Sequence, residues 1–559
     1  MLRNVLITLL VFLTGFVSSL PVLAAEAIAD TANKEAVADI EPPANKETAA
    51  KPDTPTQAQE NTFNIFEFKV LGNTVLPIEK IEEAVYAHLG EKRTIGNVEA
   101  ARTDLEKAYH TAGYLTVLVT IPEQKVDEGV VKLSVTESTV DKLRITGSRY
   151  FTLGKIKEGV PEMAEGKTPH FPTVQKQLAA LNRSPDRRIT PVLKAGRAPG
   201  TLAVELKVED KLPLHGSIGI NDRYSADTSR WRAAFNLHYD NLWQLQHSIN
   251  LTWLTAPKNT DESTVFAGTY SIPLDSGDYL ALYGVHSESD VAAVNTLNVV
   301  GNGNIIGLRY IHPLPSKENF YHNLTLGVDY KDFDQTINLL GGDTSASSPI
   351  SYLPFLLNWD GVWSGESSTT KLGISFNKHI RDLVGKDGIG NEFDNKRFKA
   401  RADYAYLRSN IEQSWRFKNG SHFDLRFNGQ LTDQPLISNE QFSIGGADTV
   451  RGYLESEVLG DKGYVANIEF HSPSFGKYLN EKISDLHALA FIDFGKVITI
   501  NPQALQREKS DIASAGFGVR LNVYNFNATL DYAKALKDGA SLRTEEGDDR
   551  LHVGLEYTF

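Results

Sequence analysis

Apolar and polar residues alternate with a period of two through most of the chain from residue 214 onward. The segment FDLRFN at 423–428 is typical, because its Phe and Leu residues occupy every second position. Successive side chains of a β-strand point to opposite faces of the sheet, so this period predicts strands. The polar face combines charged residues with many glycines, as expected for the wet lumen of a membrane barrel. The pattern therefore predicts an antiparallel transmembrane β-barrel over 211–559.

Sixteen alternating runs can be counted in this region. They begin near residues 214, 229, 246, 263, 277, 303, 322, 350, 367, 397, 421, 463, 486, 513, 525 and 550. An even number of strands places both ends of the barrel sequence on the same side of the membrane. The connection after the eleventh run, at about 433–462, then lies on the opposite side. It is among the longest connections and is long enough to turn back into the lumen.

Helical periodicity replaces the alternation between residues 62 and 210. In the first half, apolar residues recur at helical spacing over 78–89 and 98–112, between strand-like runs at 65–71, 115–121 and 130–135. The same order of strand, helix, helix, strand and strand recurs in the second half. The pattern predicts two modules of the same βααββ fold, at 62–137 and 138–210.

The first 61 residues have two different compositions. Residues 1–24 have a positive charge near the start, at Arg3, followed by an apolar run over 5–17 and fairly small residues at the end. This order is typical of a cleaved signal peptide. The apolar run is shorter than the roughly 20 residues that a transmembrane helix needs. Residues 25–61 are rich in Ala, Glu, Lys, Pro and Thr, which predicts a flexible linker. Its part 28–40 can form one short helix, with plain disorder as the alternative.

The segment IGGADTVRGY at 444–453 interrupts the alternating pattern. Gly445, Gly446 and Gly452 allow backbone angles that other residues avoid, so the segment is predicted to be a tight loop. Farther on, the segment FIDFG at 491–495 places one carboxylate, Asp493, in an apolar strand pattern. Period-two geometry puts Asp493 on the lumen-facing side of that strand.

The pattern GG-x-x-x-VRGY followed by F-x-D-x-G resembles the signature pair of the outer-membrane transporters of two-partner secretion (the TpsB family), within the wider superfamily of POTRA-plus-barrel proteins. The resemblance implies that the VRGY loop folds back into the lumen and that Arg451 pairs with Asp493 on the barrel wall. Glu469, which faces the lumen on the preceding run, is an alternative partner. The resemblance rests on Gly445, Gly446, Val450, Arg451, Gly452 and Tyr453 in the loop and on Phe491, Asp493 and Gly495 on the wall.

The second module and the C-terminal strand carry further resemblances. The motifs N-x-x-P-D-R and G-x-x-P-G resemble the second POTRA domain of the same family, although the usual proline-glycine pair is Ala195-Gly196 here. The residues concerned are Asn182, Pro185, Asp186, Arg187, Gly196, Pro199 and Gly200. The alternating strand that ends at Phe559 resembles the signal by which outer-membrane barrels are recognised for insertion. Family members often have a plug helix, for which residues 28–40 are a candidate.

Composition and motifs exclude several other functions. The net charge of -13 argues against a nucleic-acid partner, and the lack of cysteine excludes disulfides and cysteine-ligated metals. The chain has no phosphate-binding lysine loop, and its histidines are scattered in sequence with no zinc-type pair on a helix. We therefore expect no enzymatic activity, cofactor or metal.

The resemblance implies a passive translocator in the outer membrane of a Gram-negative bacterium, with both POTRA domains in the periplasm. These domains are expected to bind an unfolded exoprotein (a TpsA-like client), whose folding outside the cell drives its passage through the barrel. Other expected partners are outer-membrane lipids and, during biogenesis, periplasmic chaperones and the barrel-assembly machinery. The chain is expected to be a monomer. The alternatives are a barrel-assembly and insertion factor of the same superfamily and a porin-like channel.

Overall fold

The computed structural model describes residues 62–559, except 290, 295–296, 301, 335, 339–344, 348, 382, 384–391, 504–505 and 540–542. The predicted signal peptide, linker and plug helix precede residue 62 and lie outside the described residues. In the part of the chain that is described, none of the helices has the length and apolar character needed to cross a membrane.

Module 1 is a three-stranded sheet covered by two helices. Its elements are β1 (Phe63–Ile65), β2 (Glu67–Leu71), α1 (Ile78–Val85), β3 (Gly90–Arg93), α2 (Ile95–Thr111), β4 (Val117–Thr120) and β5 (Val130–Glu137). The sheet order is β2-β5-β4, with β2 parallel and β4 antiparallel to the central β5. Thr94 and Asn97 form a capping box that begins α2. The small pair β1 and β3 was not predicted from the sequence.

Module 2 repeats this topology. Its elements are β6 (Thr139–Thr146), α3 (Leu153–Glu158), α4 (Phe171–Leu181), β7 (Arg187–Ala195) and β8 (Thr201–Asp210). The sheet order is β6-β8-β7, again with a parallel pair and an antiparallel pair around the central strand. Each module has its own core of buried apolar residues between its helices and its sheet, so each module is a separate domain.

The rest of the chain is almost entirely β-strand. In chain order the strands are β9 (Leu214–Asn221), β10 (Arg232–Leu242), β11 (His247–Thr255), β12 (Ser263–Pro273), β13 (Tyr279–Ser289), β14 (Val291–Val294), β15 (Leu297–Val300), β16 (Gly303–Pro313), β17 (Phe320–Phe333), β18 (Thr336–Asn338), β19 (Ser345–Ser347), β20 (Ile350–Tyr352), β21 (Pro354–Ser364), β22 (Ser368–His379), β23 (Ala405–Arg416), β24 (His422–Leu431), β25 (Phe442–Ile444), β26 (Val458–Gly460), β27 (Lys462–His471), β28 (Ile483–Ile498), β29 (Lys509–Val523), β30 (Phe526–Ala535) and β31 (Asp549–Thr558). Two short helices interrupt them, α5 (Glu392–Lys396) and α6 (Gly476–Leu479).

These strands form a closed antiparallel barrel with sixteen wall strands, which confirms the predicted fold. The pairs β14–β15, β18–β19 and β25–β26 are separate small sheets and not part of the wall. Strands β20 and β21 together form one wall strand. Closure comes from β31, whose segment Gly554–Thr558 pairs with Asn221–Ser217 of β9. Because a closed barrel leaves no strand edge, every wall strand can satisfy its backbone polar groups within the membrane.

Fifteen of the sixteen predicted runs begin within four residues of the first residue of a wall strand. The tenth is the exception, because β23 begins at Ala405 and not near 397. The alternating residues Ala400, Ala402 and Tyr404 are buried in a cluster of aromatic and apolar side chains, so their period of two reflects packing and not a strand.

The two faces of the wall differ as the alternation predicts. In β28 the side chain of Ile492 is 56% exposed, whereas that of Asp493 is fully buried. Large exposed apolar residues recur around the outside, among them Leu326 and Phe517. An apolar outer face and a polar inner face are what a barrel in lipid requires.

The modules meet the barrel at the end where the turns are short. The turns at this end include 243–246 and 274–278, whereas the connections at the other end include 432–461. Near the junction, the Asp186 carboxylate lies 2.9 Å from Nε2 of His215, and the Gln244 side chain accepts a hydrogen bond from the backbone of Thr152. Partial burial of the Asp210 carboxylate opposes its ionisation, but hydrogen bonds donated by the backbone of Tyr150 and Arg149 outweigh this and lower its pKa.

Candidate functional site

The connection between β24 and β27, residues 432–461, packs inside the barrel. Its strands β25 and β26 pair with each other and form a hairpin. The apolar residues of this hairpin are almost completely shielded from solvent and pack on small and branched residues of the wall. The cluster comprises Ile444, Val450, Tyr453 and Val458 from the hairpin and Val465, Val497, Ile512 and Ala535 from around it. We call residues 432–461 the lumen loop.

Glycines shape the tip of the lumen loop. Gly445, Gly446 and Gly452 have φ angles of 104°, 107° and 92°. Side chains rarely tolerate these angles, and a Cβ atom at Gly445 would lie 2.6 Å from the carbonyl oxygen of Leu454. The three glycines predicted to make a tight loop therefore do so.

The tip of the lumen loop brings Arg451 against the barrel wall. The guanidinium donates from Nε to Oδ2 of Asp493 at 2.7 Å and from Nη2 to Oδ1 at 2.8 Å. The backbone N–H of Arg451 also donates to Oδ2, at 3.1 Å. Nη2 lies 2.8 Å from Oε1 of Glu469, so both carboxylates considered from the sequence contact the arginine. The side chains of Arg451 and Asp493 are only 2% and 0% exposed.

The other residues of the F-x-D-x-G motif complete this clasp. The Phe491 ring lies under the guanidinium, with its centroid 3.4 Å from Cζ of Arg451. A Cβ atom at Gly495 would lie 3.0 Å from Cγ2 of Val450, so the absence of a side chain lets the loop approach the wall. Asn467 donates to Oδ1 of Asp493 at 2.8 Å. We call Arg451, Asp493, Glu469 and Phe491 the arginine clasp.

Gly452 and Tyr453 extend the contact around the wall. The backbone N–H of Gly452 donates to Nε2 of His552 on β31 at 3.1 Å. The Tyr453 hydroxyl lies 2.9 Å from the carbonyl oxygen of Ala513 on β29 and 2.7 Å from that of Lys537. The tip of the loop therefore contacts the wall from β27 to β31.

A second anchor of the lumen loop was not predicted. Glu440, which is 1% exposed, accepts hydrogen bonds from Nζ of Lys331 at 2.6 Å, from the Tyr352 hydroxyl at 2.6 Å and from the Tyr406 hydroxyl at 2.8 Å. These partners lie on β17, β20 and β23, on a different part of the wall from the arginine clasp. A single glutamate in a loop gives no sequence signal that could have revealed this site.

A third anchor fixes the end of the loop. Asp461 is fully buried, and its Oδ2 accepts a hydrogen bond from Nη2 of Arg397 at 2.9 Å. Its carboxylate also accepts hydrogen bonds from the backbone N–H groups of Leu436 at 2.9 Å and Ile500 at 2.6 Å. Arg397 belongs to the connection between β22 and β23, so neighbouring connections are tied together at this end of the barrel.

The motif residues of module 2 contact other parts of module 2 and the first barrel strand. The Asn182 amide bonds both backbone groups of Ile189, at 3.0 and 2.8 Å. Arg187 donates from Nε to the carbonyl of Leu181 at 3.0 Å, and Asp186 contacts His215. The remaining motif residues lie at or beside the turns that precede β7 and β8: Pro185, Gly196, Pro199 and Gly200.

Phe559 lies at the seam of the barrel. Its backbone exchanges two hydrogen bonds with Gly216 of β9, at 3.0 and 2.9 Å. A Cβ atom at Gly216 would clash with the Phe559 ring, so the glycine makes room for it. The residue thus helps to close the barrel, which is compatible with its predicted second role as an insertion signal.

The expectation that the histidines are scattered does not hold in three dimensions. His422, His471 and His487 lie side by side on β24, β27 and β28, because these strands are neighbours in the wall. No pattern along the sequence shows this, since the register between strands decides it.

Comparisons with known proteins agree on one family. The model of the haemolysin secretion/activation proteins ShlB/FhaC/HecB matches residues 200–521, and that of the ShlB-type POTRA domain matches 63–138. The heme/hemopexin transporter protein HuxB of Haemophilus influenzae (strain 86-028NP) is 20% identical over 497 residues, covering 85% of this chain and 84% of that protein. The hemolysin transporter protein ShlB of Serratia marcescens is 22% identical over 447 residues, covering 78% and 74% of the two proteins.

Solved structures share the fold. CdiB from Escherichia coli matches with a TM-score of 0.59 at 17% identity, covering 91% of this chain and 93% of that one. BamA from Haemophilus ducreyi lacking POTRA domains 1–3 matches with a TM-score of 0.54 at 13% identity, covering 89% and 100%. The chain therefore belongs to the ShlB/FhaC/HecB family of haemolysin secretion/activation proteins, and it is an outer-membrane translocator of two-partner secretion whose POTRA modules lie in the periplasm.

Proposed function

We propose that this translocator receives an unfolded exoprotein as an additional strand on β2 of module 1 and passes it through the barrel past the lumen loop. An extended polypeptide can pair with an open sheet edge through backbone hydrogen bonds, which tolerate many sequences. The observation that carries the proposal is the difference between β2 and the other three outer edges of the two modules.

The edge of β4 is already occupied by side chains of α2. Glu106 accepts a hydrogen bond from the backbone N–H of Val119 at 3.1 Å. The His110 ring lies 3.2 Å from the carbonyl oxygen of Val117. Because these groups take the outward-pointing donor and acceptor, β4 offers little to an incoming strand.

Both edges of module 2 are covered in a similar way. On β7 the Asn182 side chain bonds Ile189, and Pro191, two residues farther on the same side, has no N–H to offer. On β6 the backbone of Val140 exchanges hydrogen bonds with Gly166 and Lys167, at 2.7 and 2.9 Å. The conspicuous Asn of the N-x-x-P-D-R motif is thus an edge cap.

Among the described residues, β2 pairs with β5 on one side and forms an open edge of its sheet. Large apolar side chains are exposed next to it, with Phe66 at 59% and Leu71 at 42%. An incoming strand would gain backbone pairing from β2 and apolar contact from these residues.

Photo-crosslinking tests this assignment. The exposed Lys69 of β2 is replaced by p-benzoylphenylalanine, and the full-length protein is mixed with a denatured candidate exoprotein. We expect a strong adduct from Lys69 and a weak one from the matched control Leu118, which is exposed on the capped strand β4. Equal adducts from both positions would contradict strand addition at β2.

Several parts of this function go beyond the family assignment. Relatives are named as transporters of hemolysin and of heme/hemopexin, and we propose a secreted exoprotein of that general class as the client. We further propose that the arginine clasp holds the lumen loop in its working position. Phe559 would direct insertion by the barrel-assembly machinery, after periplasmic chaperones have delivered the chain. The protein would act as a monomer and have no enzymatic activity.

The alternative functions predict different clients. The likeness to BamA is one of fold alone, and the family match favours secretion over barrel assembly. An assembly factor would give crosslinks to nascent outer-membrane barrels in place of a secreted protein. A porin-like channel would conduct small solutes and give no protein adduct.

A further inference from the structure

Three imidazoles form a cluster on the lumen wall near the periplasmic end of the barrel. His422 begins β24, His471 ends β27 and stands directly opposite it, and His487 lies on β28. Nδ1 of His471 lies 3.1 Å from Nε2 of His487. The rings of His422 and His471 stack with centroids 4.0 Å apart and planes at 13°. All three residues offer a ring nitrogen within 4.8 Å of the other two.

Two carboxylates orient these rings from behind. Nδ1 of His487 lies 2.8 Å from Oδ2 of Asp485, and Nε2 of His471 lies 3.1 Å from Oε2 of Glu469. An ionised carboxylate only accepts hydrogen bonds, so each of these nitrogens carries a proton. In neutral imidazole the other nitrogen then has a free lone pair.

The consequence is that two lone pairs face each other across 3.1 Å, on Nδ1 of His471 and Nε2 of His487. This arrangement is repulsive unless a cation lies between the nitrogens. A proton can bridge only two ring nitrogens. A metal ion can bind three, and His422 supplies the third. A histidine that donates its outer N–H to a carboxylate is the usual form of a metal ligand.

We propose that His422, His471 and His487 bind one divalent late first-row transition metal of the Zn²⁺ class, supported by Asp485 and Glu469. Imidazole ligands favour Zn²⁺, Cu²⁺ and Ni²⁺ over Mg²⁺ and Ca²⁺, which prefer oxygen. Three histidines leave a fourth position for water or a carboxylate, as in tetrahedral zinc sites. His422 must turn out of its stack on His471, because nearly parallel rings direct their nitrogens side by side and not to one point. The three nitrogens would then lie at the required distance of about 2.0–2.1 Å from the metal.

The site is open to the periplasmic side, because the side chain of His422 is 29% exposed. It also touches the arginine clasp. Glu469 contacts His471 through Oε2 and contacts Arg451 and Arg426 through Oε1, at 2.8 and 2.7 Å. A bound metal would therefore fix the carboxylate that the clasp shares.

Metal titration of the tag-free, full-length protein in detergent tests the proposal without any exoprotein. After chelator treatment, isothermal titration with ZnCl₂ is expected to show one site per chain. His471→Gln should weaken Zn²⁺ binding by more than about tenfold, and Asp485→Asn by about 10–100-fold, as for outer partners of metal ligands. Electron paramagnetic resonance with CuSO₄ should show nitrogen ligands that His471→Gln removes.

His312→Gln is the matched control. Nδ1 of His312 lies 2.6 Å from Oδ1 of Asp278, but His312 is outside the three-histidine cluster. Its loss should leave the Zn²⁺ affinity unchanged. Heat-modifiable migration in gels checks that every variant is folded. The proposal is overturned if folded wild-type protein binds no Zn²⁺, as expected for a bridging proton alone, or if His471→Gln and His312→Gln bind it equally.

Discussion

Two of the three buried anchors of the lumen loop, the arginine clasp and Glu440, achieve the same result with different chemistry. At the arginine clasp a rigid guanidinium makes a two-point contact with Asp493 and a third contact with Glu469. At the other anchor a carboxylate, Glu440, is shared among one ammonium group and two tyrosine hydroxyls. The loop is thus held on two parts of the wall, from β27 to β31 and from β17 to β23.

The difference concerns how each anchor would fail. Opening the clasp leaves the buried Arg451 guanidinium without its two carboxylates and the buried Asp493 without its cation, and removing one ion from a buried ion pair is costly. Opening the Glu440 anchor leaves a buried carboxylate and two buried tyrosine hydroxyls without each other, but the ammonium group of Lys331 is 15% exposed and keeps access to water. We infer that the clasp is the stronger anchor and the one whose state decides whether the loop can move.

Arg451→Ala should have the largest effect. It leaves the buried Asp493 without its cation, whereas Glu469 keeps Arg426, and the expected cost is about 3–5 kcal/mol. The barrel should still insert, secretion should fall sharply, and thermolysin should cut the lumen loop about a hundredfold to a few thousandfold faster, because cleavage follows the population of the open loop.

The matched control is Arg223→Ala. Arg223 also pairs with the lumen loop, through Asp448, but the two side chains are 42% and 59% exposed. An exposed pair contributes about 0–1 kcal/mol. Unchanged secretion in Arg451→Ala, or equal losses in the two variants, would remove the proposed role of the clasp.

Arg451→Lys should have a smaller effect than the alanine variant. Lysine keeps the positive charge but cannot make the two-point contact with Asp493. We expect a loss of about 1.5–3 kcal/mol, the range for a hydrogen bond to a charged group. Thermolysin rates between those of wild type and Arg451→Ala would agree with this. A rate equal to wild type would show that charge alone holds the clasp.

Glu440→Gln tests the second anchor. The amide can still accept hydrogen bonds from the tyrosine hydroxyls, but Lys331 loses its counter-charge, at an expected cost of about 1–3 kcal/mol. The loop should be cut faster near 436–440 than near the tip. If the tip is released instead and secretion falls as far as in Arg451→Ala, the two anchors are not independent. A double variant with Arg451→Lys measures their coupling directly.

Gly495→Ala should have the smallest effect. The new methyl group would lie 3.0 Å from Val450 and 3.1 Å from Ile444, so the loop must shift by a few tenths of an ångström. We expect a cost of about 1 kcal/mol, at the low end of the range for overpacking. Gly284→Ala, on the wall strand β13, supplies a glycine control, because a Cβ atom there would lie 3.9 Å from the carbonyl oxygen of Ile305, an ordinary contact. Equal loop cleavage in both variants would show that Gly495 does not limit the approach of the loop.

Sequence patterns predict the structure best where the direction of a side chain follows from its neighbours in the chain. Asp493 could be placed on the lumen face because side chains of a strand alternate, and the glycines of the VRGY segment could be placed in a loop because of their backbone freedom. The same reasoning failed at residues 397–404, where buried packing imitates the period of a strand. The pairing of Arg451 came from the family resemblance and not from any pattern along the chain.

The amino-acid sequence by itself determined the strands, their inner and outer faces and the repeat of the two modules, since these depend on local periodicity. Only the tertiary structure decided which distant side chains meet. Lys331 and Glu440 are 109 residues apart, and Arg397 and Asp461 are 64 apart. The three histidines likewise come together through strand register. Barrel closure and the path of the loop set these contacts, and neither is encoded in the pattern of any single segment.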